Sequence, residues 1–167
     1  IQSPLVGRFN VDNLLITAGV LIAETRDFQS VSSVISELTP VFGRMNRIQP
    51  TPDSPLVIVD YAHTPDALKQ ALDALQDYNF SRIITVFGCT GDRDVGKRPE
   101  MARIAEERSS LVIVTDDDVH HEDGDKILAI AKNSERNLAD AGDLDAGAVE
   151  GQVAGFVVHR SRATTVV

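Results

Sequence analysis

Residues 56–75 read LVIVDYAHTPDALKQALDAL, and the order of chemistry along them decides the fold class. Leu56 to Val59 is a short aliphatic run ending on a carboxylate, Asp60, the pattern of a buried strand that stops at a polar edge. After Tyr61-Ala62-His63, Thr64 suits a helix cap, Pro65 the first turn, and Asp66 the positive end of the helix dipole. Leu68, Ala71, Leu72 and Leu75 then share one helical face.

The same alternation continues downstream. Residues 83–87 and 111–114 predict strands, with a helix from Pro99 between them. A helix over 126–138 on Ile127, Ile130 and Ala131, and a strand over 153–158, complete the pattern. Strands alternating with helices imply an α/β fold whose strands run parallel through right-handed crossovers. Residues 140–151, rich in Ala, Gly and Asp, read as a loop whose role no residue reveals.

Upstream, Val11, Leu14, Leu15, Ala18, Leu21 and Ile22 predict a helix of about four turns capped by Asn10. Val31, Val34, Ile35 and Leu38 predict a second, ended by Pro40. The three prolines in residues 50–55 mark a connector.

Length and composition bound the function. At 167 residues the chain holds one core and a piece of another, and 43% apolar content with only 5% aromatic makes that core aliphatic. A net charge of −9 disfavours nucleic acid as a partner. No apolar run reaches the roughly 20 residues that span a bilayer, so no membrane partner is expected. A single cysteine, Cys89, forms no internal disulfide and points to a cytoplasmic location.

Three loops follow the three strands: 60–66, 88–94 and 115–118. In an open parallel sheet ligands bind at that edge, although Asp and Gly gather in loops of any kind. The glycine-rich segment 88–96 contains Arg93, suited to grip a carboxylate or phosphate with two parallel hydrogen bonds. It lacks the Gly-Lys-Ser/Thr ending of a triphosphate-binding loop, as does the rest of the chain. Asp60 suits ribose hydroxyls, or equally the capping of its own turn. His120-His121-Glu122-Asp123 invites a metal, but neighbouring side chains point apart, so it reads as a solvated acidic face, and no metal site is assigned. Cys89 has no histidine placed to activate it and reads as packing.

Four blocks, Gly7-Arg8-Phe9-Asn10-Val11-Asp12-Asn13, Gly43-Arg44-Met45, residues 60–66, and residues 87–94 with Gly96-Lys97-Arg98-Pro99, resemble Mur ligases of the UDP-N-acetylmuramyl-tripeptide synthetase type. The resemblance covers residues 3–123. It implies that residues 1–40 are the end of a central ATPase domain. Residues 41–167 would be an incomplete, Rossmann-like C-terminal domain with a mainly parallel sheet. It also implies a cytoplasmic, peptidoglycan-building enzyme that uses ATP and magnesium to activate the carboxylate of UDP-MurNAc-L-Ala-D-Glu as an acyl phosphate, which an amino acid then attacks.

By the same resemblance Asn10 and Asn13 meet the adenine side of ATP, and Arg44 and Asp60 its phosphate or ribose side. Arg93 holds the carboxylate of the incoming amino acid. Diaminopimelate-adding members continue with Asp-Asn-Pro-Arg, whereas this chain has Asp117-Asp118-Val119-His120. Asp117 is retained as an amino-acid contact, and the extra acid at Asp118 suits a cationic side chain such as that of L-lysine. No catalytic residue is assigned. The phosphate loop and a Gly-Lys-Gly-His-Glu block do not occur here, so the isolated chain is expected to be inactive. The competing expectation is a non-catalytic module of the same fold that binds an amino acid or peptide.

Overall fold

The computed structural model describes residues 3, 5–78, 80–115, 117–131, 138–140 and 154–159. Two helices come first, α1 (Arg8–Thr25) and α2 (Phe28–Glu37). The alternating part is β1 (Asn46–Ile48), β2 (Leu56–Asp60), α3 (Pro65–Gln76), β3 (Arg82–Phe87), α4 (Lys97–Arg108), β4 (Leu111–Val114), α5 (Gly124–Ala131), β5 (Leu138–Asp140) and β6 (Ala154–His159).

The α1–α2 pair meets along a narrow seam. Ala18, Val31 and Ile35 are buried there with Leu14, Ile22 and Leu38 against them, so one residue per turn of α1 faces its partner. Val11, Leu15 and Leu21, expected on the same face, are exposed. Asn10 does not cap α1, which begins two residues earlier after Gly7, whose φ of 96° favours glycine. Asp27 caps α2, accepting from the amides of Gln29 and Ser30 at 3.1 Å each.

The expected strand-to-helix reading of 56–75 holds closely. The Thr64 hydroxyl accepts from the Ala67 amide at 3.2 Å, and Leu68, Ala71, Leu72 and Leu75 are all buried. Replacing Thr64 by alanine is therefore expected to cost about 1 kcal/mol of stability, and by serine much less, measured by urea denaturation. Arg98, Met101, Ala102 and Ala105 of α4 share the same core as Ile58, Phe87, Val112 and Val114 from the sheet.

The sheet order is β1-β2-β6-β3-β4-β5. β3, β4 and β5 pair in parallel, while β6 runs antiparallel between β2 and β3, and β1 antiparallel on β2. Four of the six strands thus share a direction, as a strand–helix–strand alternation requires, but β2 and β3 are not neighbours. Alternation fixes direction, not adjacency, and a late strand can enter between two early ones. The helix expected over 126–138 is shorter: α5 ends at Ala131, and Leu138 begins β5. Most of the loop expected over 140–151 lies outside the described residues; Asp140 itself closes β5.

Candidate functional site

The carboxyl ends of β2, β3 and β4 lie along one edge of the sheet, so the loops that follow them gather there. Two separate arrangements of side chains result.

The first is a cavity of about 510 Å³ between the start of α1, residues 38–44, the end of β2 and α3. Asn10, Asn13, Arg44 and Asp60 all line it, with Phe9, Leu14, Leu38, Pro40 and Val41 as apolar walls. All four residues expected on the nucleotide side are thus brought together from three separate parts of the chain. The Asn10 side-chain amide donates to the Val6 carbonyl at 2.7 Å, and Asn13 donates to the Asn10 side-chain oxygen at 3.5 Å.

Asp60 is only 8% exposed, and its Oδ2 accepts from the Met45 amide at 2.9 Å. That donor is aimed by a turn in which Gly43 (φ 72°) and Met45 (φ 49°) are both left-handed. Burial pushes the Asp60 carboxyl above its ordinary value, against the Met45 N–H, the Arg44 charge and the Ala62 N–H. The Ala62 bond is the turn-capping alternative, and the Met45 bond, from fifteen residues away, is a second role no local pattern announces. Arg44 sits 5.3 Å over the Tyr61 ring, which meets His63 edge-on.

The second arrangement joins the loop after β3 to the loop after β4. The Thr90 hydroxyl donates to Asp117 Oδ2 at 2.9 Å, and the Gly91 amide donates to the Asp118 carbonyl at 2.8 Å. The two backbones approach so closely that a Cβ on Gly91 would lie 2.0 Å from the Val119 carbonyl oxygen, and one on Gly88 2.8 Å from Asp117 Cβ. Asp92 is left-handed (φ 52°) and donates its amide to Glu122 Oε1 at 2.6 Å. Arg93, the next residue, is exposed and makes no ion pair among the described residues. Lys97 Nζ donates to the His63 carbonyl at 2.9 Å, tying this loop back to the one after β2. Arg93 and Asp117 therefore belong to one pair of linked loops, outside the cavity that holds the other four predicted residues.

Glu122 corrects the reading of residues 120–123 as a solvated face. Its carboxylate receives both terminal nitrogens of Arg98, at 2.8 and 2.7 Å, and Arg98 is completely buried. The signal was present in the helix period: Arg98 stands on the stripe of Met101, Ala102 and Ala105, where a charge requires a partner. His121, nine-tenths exposed, meets Asp92 Oδ2 at 2.7 Å. Cys89 is buried, and burial pushes its thiol up, consistent with a packing role.

The Arg98 guanidinium and the Asp92 N–H hold the Glu122 carboxyl at about 2, against an ordinary value of 4.5. A depressed carboxylate stabilises the fold fully above its unfolded value and ceases to do so as pH falls through its folded one. Stability is therefore expected to fall between pH 4.5 and 2, and Glu122→Gln to flatten that part of the profile. Urea midpoints of both proteins across this range measure the difference.

Comparison with known proteins identifies the family. The family model for the Mur ligase, glutamate ligase domain, matches residues 43–154. The UDP-N-acetylmuramoyl-L-alanyl-D-glutamate–2,6-diaminopimelate ligase of Xanthomonas oryzae pv. oryzae is 54% identical over 129 residues, 77% of this chain and 26% of the relative. That of Pseudomonas aeruginosa is 46% identical over the same length. A solved 2,6-diaminopimelate ligase structure superposes with a TM-score of 0.57 at 38% identity, over 84% of this chain and 29% of the other. The UDP-N-acetylmuramate–alanine ligase of Thermotoga maritima shares the fold at a TM-score of 0.65 and 22% identity, over 89% and 34%. This chain spans about a quarter of the length of the curated relatives it matches. With a family model over most of its length, and relatives 46% and 54% identical over 77% of it, the chain belongs to the Mur ligase family.

Proposed function

We infer that this chain is the amino-acid-receiving end of an ATP-dependent ligase that joins an amino acid to UDP-MurNAc-L-Ala-D-Glu in cytoplasmic peptidoglycan synthesis. The observation that carries the reading is the division of the sheet edge into two parts. One is an apolar-walled cavity with a buried carboxylate, the other a linked loop pair that presents an exposed arginine.

The cavity suits the adenosine end of ATP. Its aliphatic walls fit a purine, Asn10 and Asn13 offer amide groups to the ring, and Asp60 and Arg44 face ribose and phosphate oxygens. Magnesium is assigned to no residue of this chain. In the ligase reaction the substrate carboxylate is activated as an acyl phosphate, and the amine displaces phosphate to form the amide. Arg93 grips the carboxylate of the incoming amino acid and so holds its amine in place, converting a bimolecular step into an effectively unimolecular one.

Asp118, exposed beside Asp117, suits a second ammonium on that amino acid, which favours L-lysine. A second reading, 2,6-diaminopimelate, is favoured by the names of the relatives. Isothermal titration of the chain with L-lysine, 2,6-diaminopimelate and L-alanine tests the proposal. Binding of a diamino acid but not of alanine is expected, with Asp118→Asn weakening lysine by about fivefold, a pairwise charge effect of about 1 kcal/mol. Binding of diaminopimelate alone would sink the lysine reading, and binding of none would sink both.

A further inference from the structure

Glu122 stands outside the residues to which amino-acid binding has been assigned, yet its carboxylate accepts three hydrogen bonds from two other segments. Arg98 at the start of α4 donates two hydrogen bonds to it. The Asp92 amide donates a third, at 2.6 Å, from the loop after β3. Glu122 itself lies in the loop after β4, where its own amide is held by the Val119 carbonyl at 2.9 Å.

Asp92 adopts a left-handed backbone (φ 52°), which aspartate tolerates better than most non-glycine residues but which still costs energy that its contacts must offset. The bond to Glu122 falls on this residue, immediately before Arg93. Two further bonds close the loop on either side of it: Gly91 N–H to the Asp118 carbonyl, and Gly96 N–H to Asp94 Oδ1 at 2.9 Å. Asp92 immediately precedes Arg93, so its backbone conformation bears on the direction in which Arg93 leaves the loop; Glu122 holds the Asp92 N–H, while His121 meets its side chain at 2.7 Å.

The geometry points to Glu122 as a positioning residue. Anchored by buried Arg98, it holds the Asp92 backbone in the left-handed conformation that aims Arg93 at the carboxylate of the incoming amino acid. This deepens the proposed function and rests on its assignment of Arg93. A carboxylate fixed by a buried guanidinium is a better anchor than a free surface glutamate, because its own rotamer is locked before any ligand arrives. The arginine then meets the ligand already oriented.

The test is titration of the isotopically labelled 167-residue chain with L-lysine and 2,6-diaminopimelate, following the Arg93 guanidinium and the Asp92 amide by NMR. Glu122→Ala is expected to weaken the binding probe by about tenfold to a hundredfold, the range for a misplaced binding group. Glu122→Gln, which keeps one oxygen for the Asp92 amide and Arg98 Nη2 but loses the charge and the second acceptor, is expected to recover part of that affinity. Both variants lose the ion pair, so a merely structural role predicts that they behave alike. Should Glu122→Ala not fold, Glu122→Asp carries the same expectation as that variant, since its shorter side chain draws back from the Asp92 amide. Unchanged Met45 and Leu72 amide signals show that the cavity and core are intact.

Affinity within about twofold of the original protein in a folded Glu122→Ala or Glu122→Asp variant overturns the inference. So does equal weakening in Glu122→Ala and Glu122→Gln. If neither probe perturbs Arg93 in the unmodified chain, the amino-acid site is itself wrong and this inference falls with it.

Discussion

Replacing Arg98 by alanine is expected to lower the stability of the chain by about 3 kcal/mol, the low end of the range for breaking a buried ion pair from one side. Arg98 is fully buried, whereas the Glu122 side chain remains 29% exposed and can be rehydrated when its partner is lost. The truncation also opens a void beside Met101 and Ala102 and removes the donor to the Thr90 carbonyl at 3.5 Å. Denaturant unfolding at neutral pH measures it. A loss below about 1 kcal/mol, the worth of an ordinary surface pair, would mean that Arg98 is not held as described.

Gly91→Ala is expected to be nearly as damaging, by about 3 kcal/mol, at the upper end of ordinary overpacking. The obstacle to the new methyl is a carbonyl oxygen of the Val119 backbone at 2.0 Å, which cannot swing aside as the end of a side chain can. Relief requires the loops after β3 and β4 to part, which breaks the Gly91–Asp118 bond and moves Asp92 away from Glu122. The variant should therefore lose amino-acid binding together with stability. Gly19→Ala, where nothing lies within 4 Å of the added methyl, is the matched control and is expected to stabilise α1 slightly.

Elements whose formation depends on neighbours in sequence were legible before the fold was known. The Thr64 cap, the Pro65 first turn and the buried stripe of α3 are local, and they appear at the residues expected. The entry of β6 between β2 and β3 was not legible, because strand order depends on which edge a distant segment finds. The four residues of the cavity were named by motif, but the bond that fixes Asp60 comes from Met45, whose left-handed φ is not announced by its residue type although Gly43 two residues earlier marks the turn. The role of Glu122 was hidden for a similar reason. An acidic run looks solvated until the arginine on a helix's buried stripe is seen to need one of its members.

In the proposed function, nucleotide and amino acid occupy two neighbouring stations on one sheet edge, and Arg93 holds the second. The most direct measurement is peptide-bond formation by a chimera in which this chain replaces the matching quarter of the Xanthomonas oryzae ligase. ATP-dependent addition of a diamino acid is predicted. Arg93→Ala in the same chimera should reduce kcat/KM for that amino acid by about 30-fold or more, the effect of truncating one partner of a charged pair. A folded chimera that forms no product, or one in which Arg93→Ala leaves kcat/KM unchanged, would contradict the account.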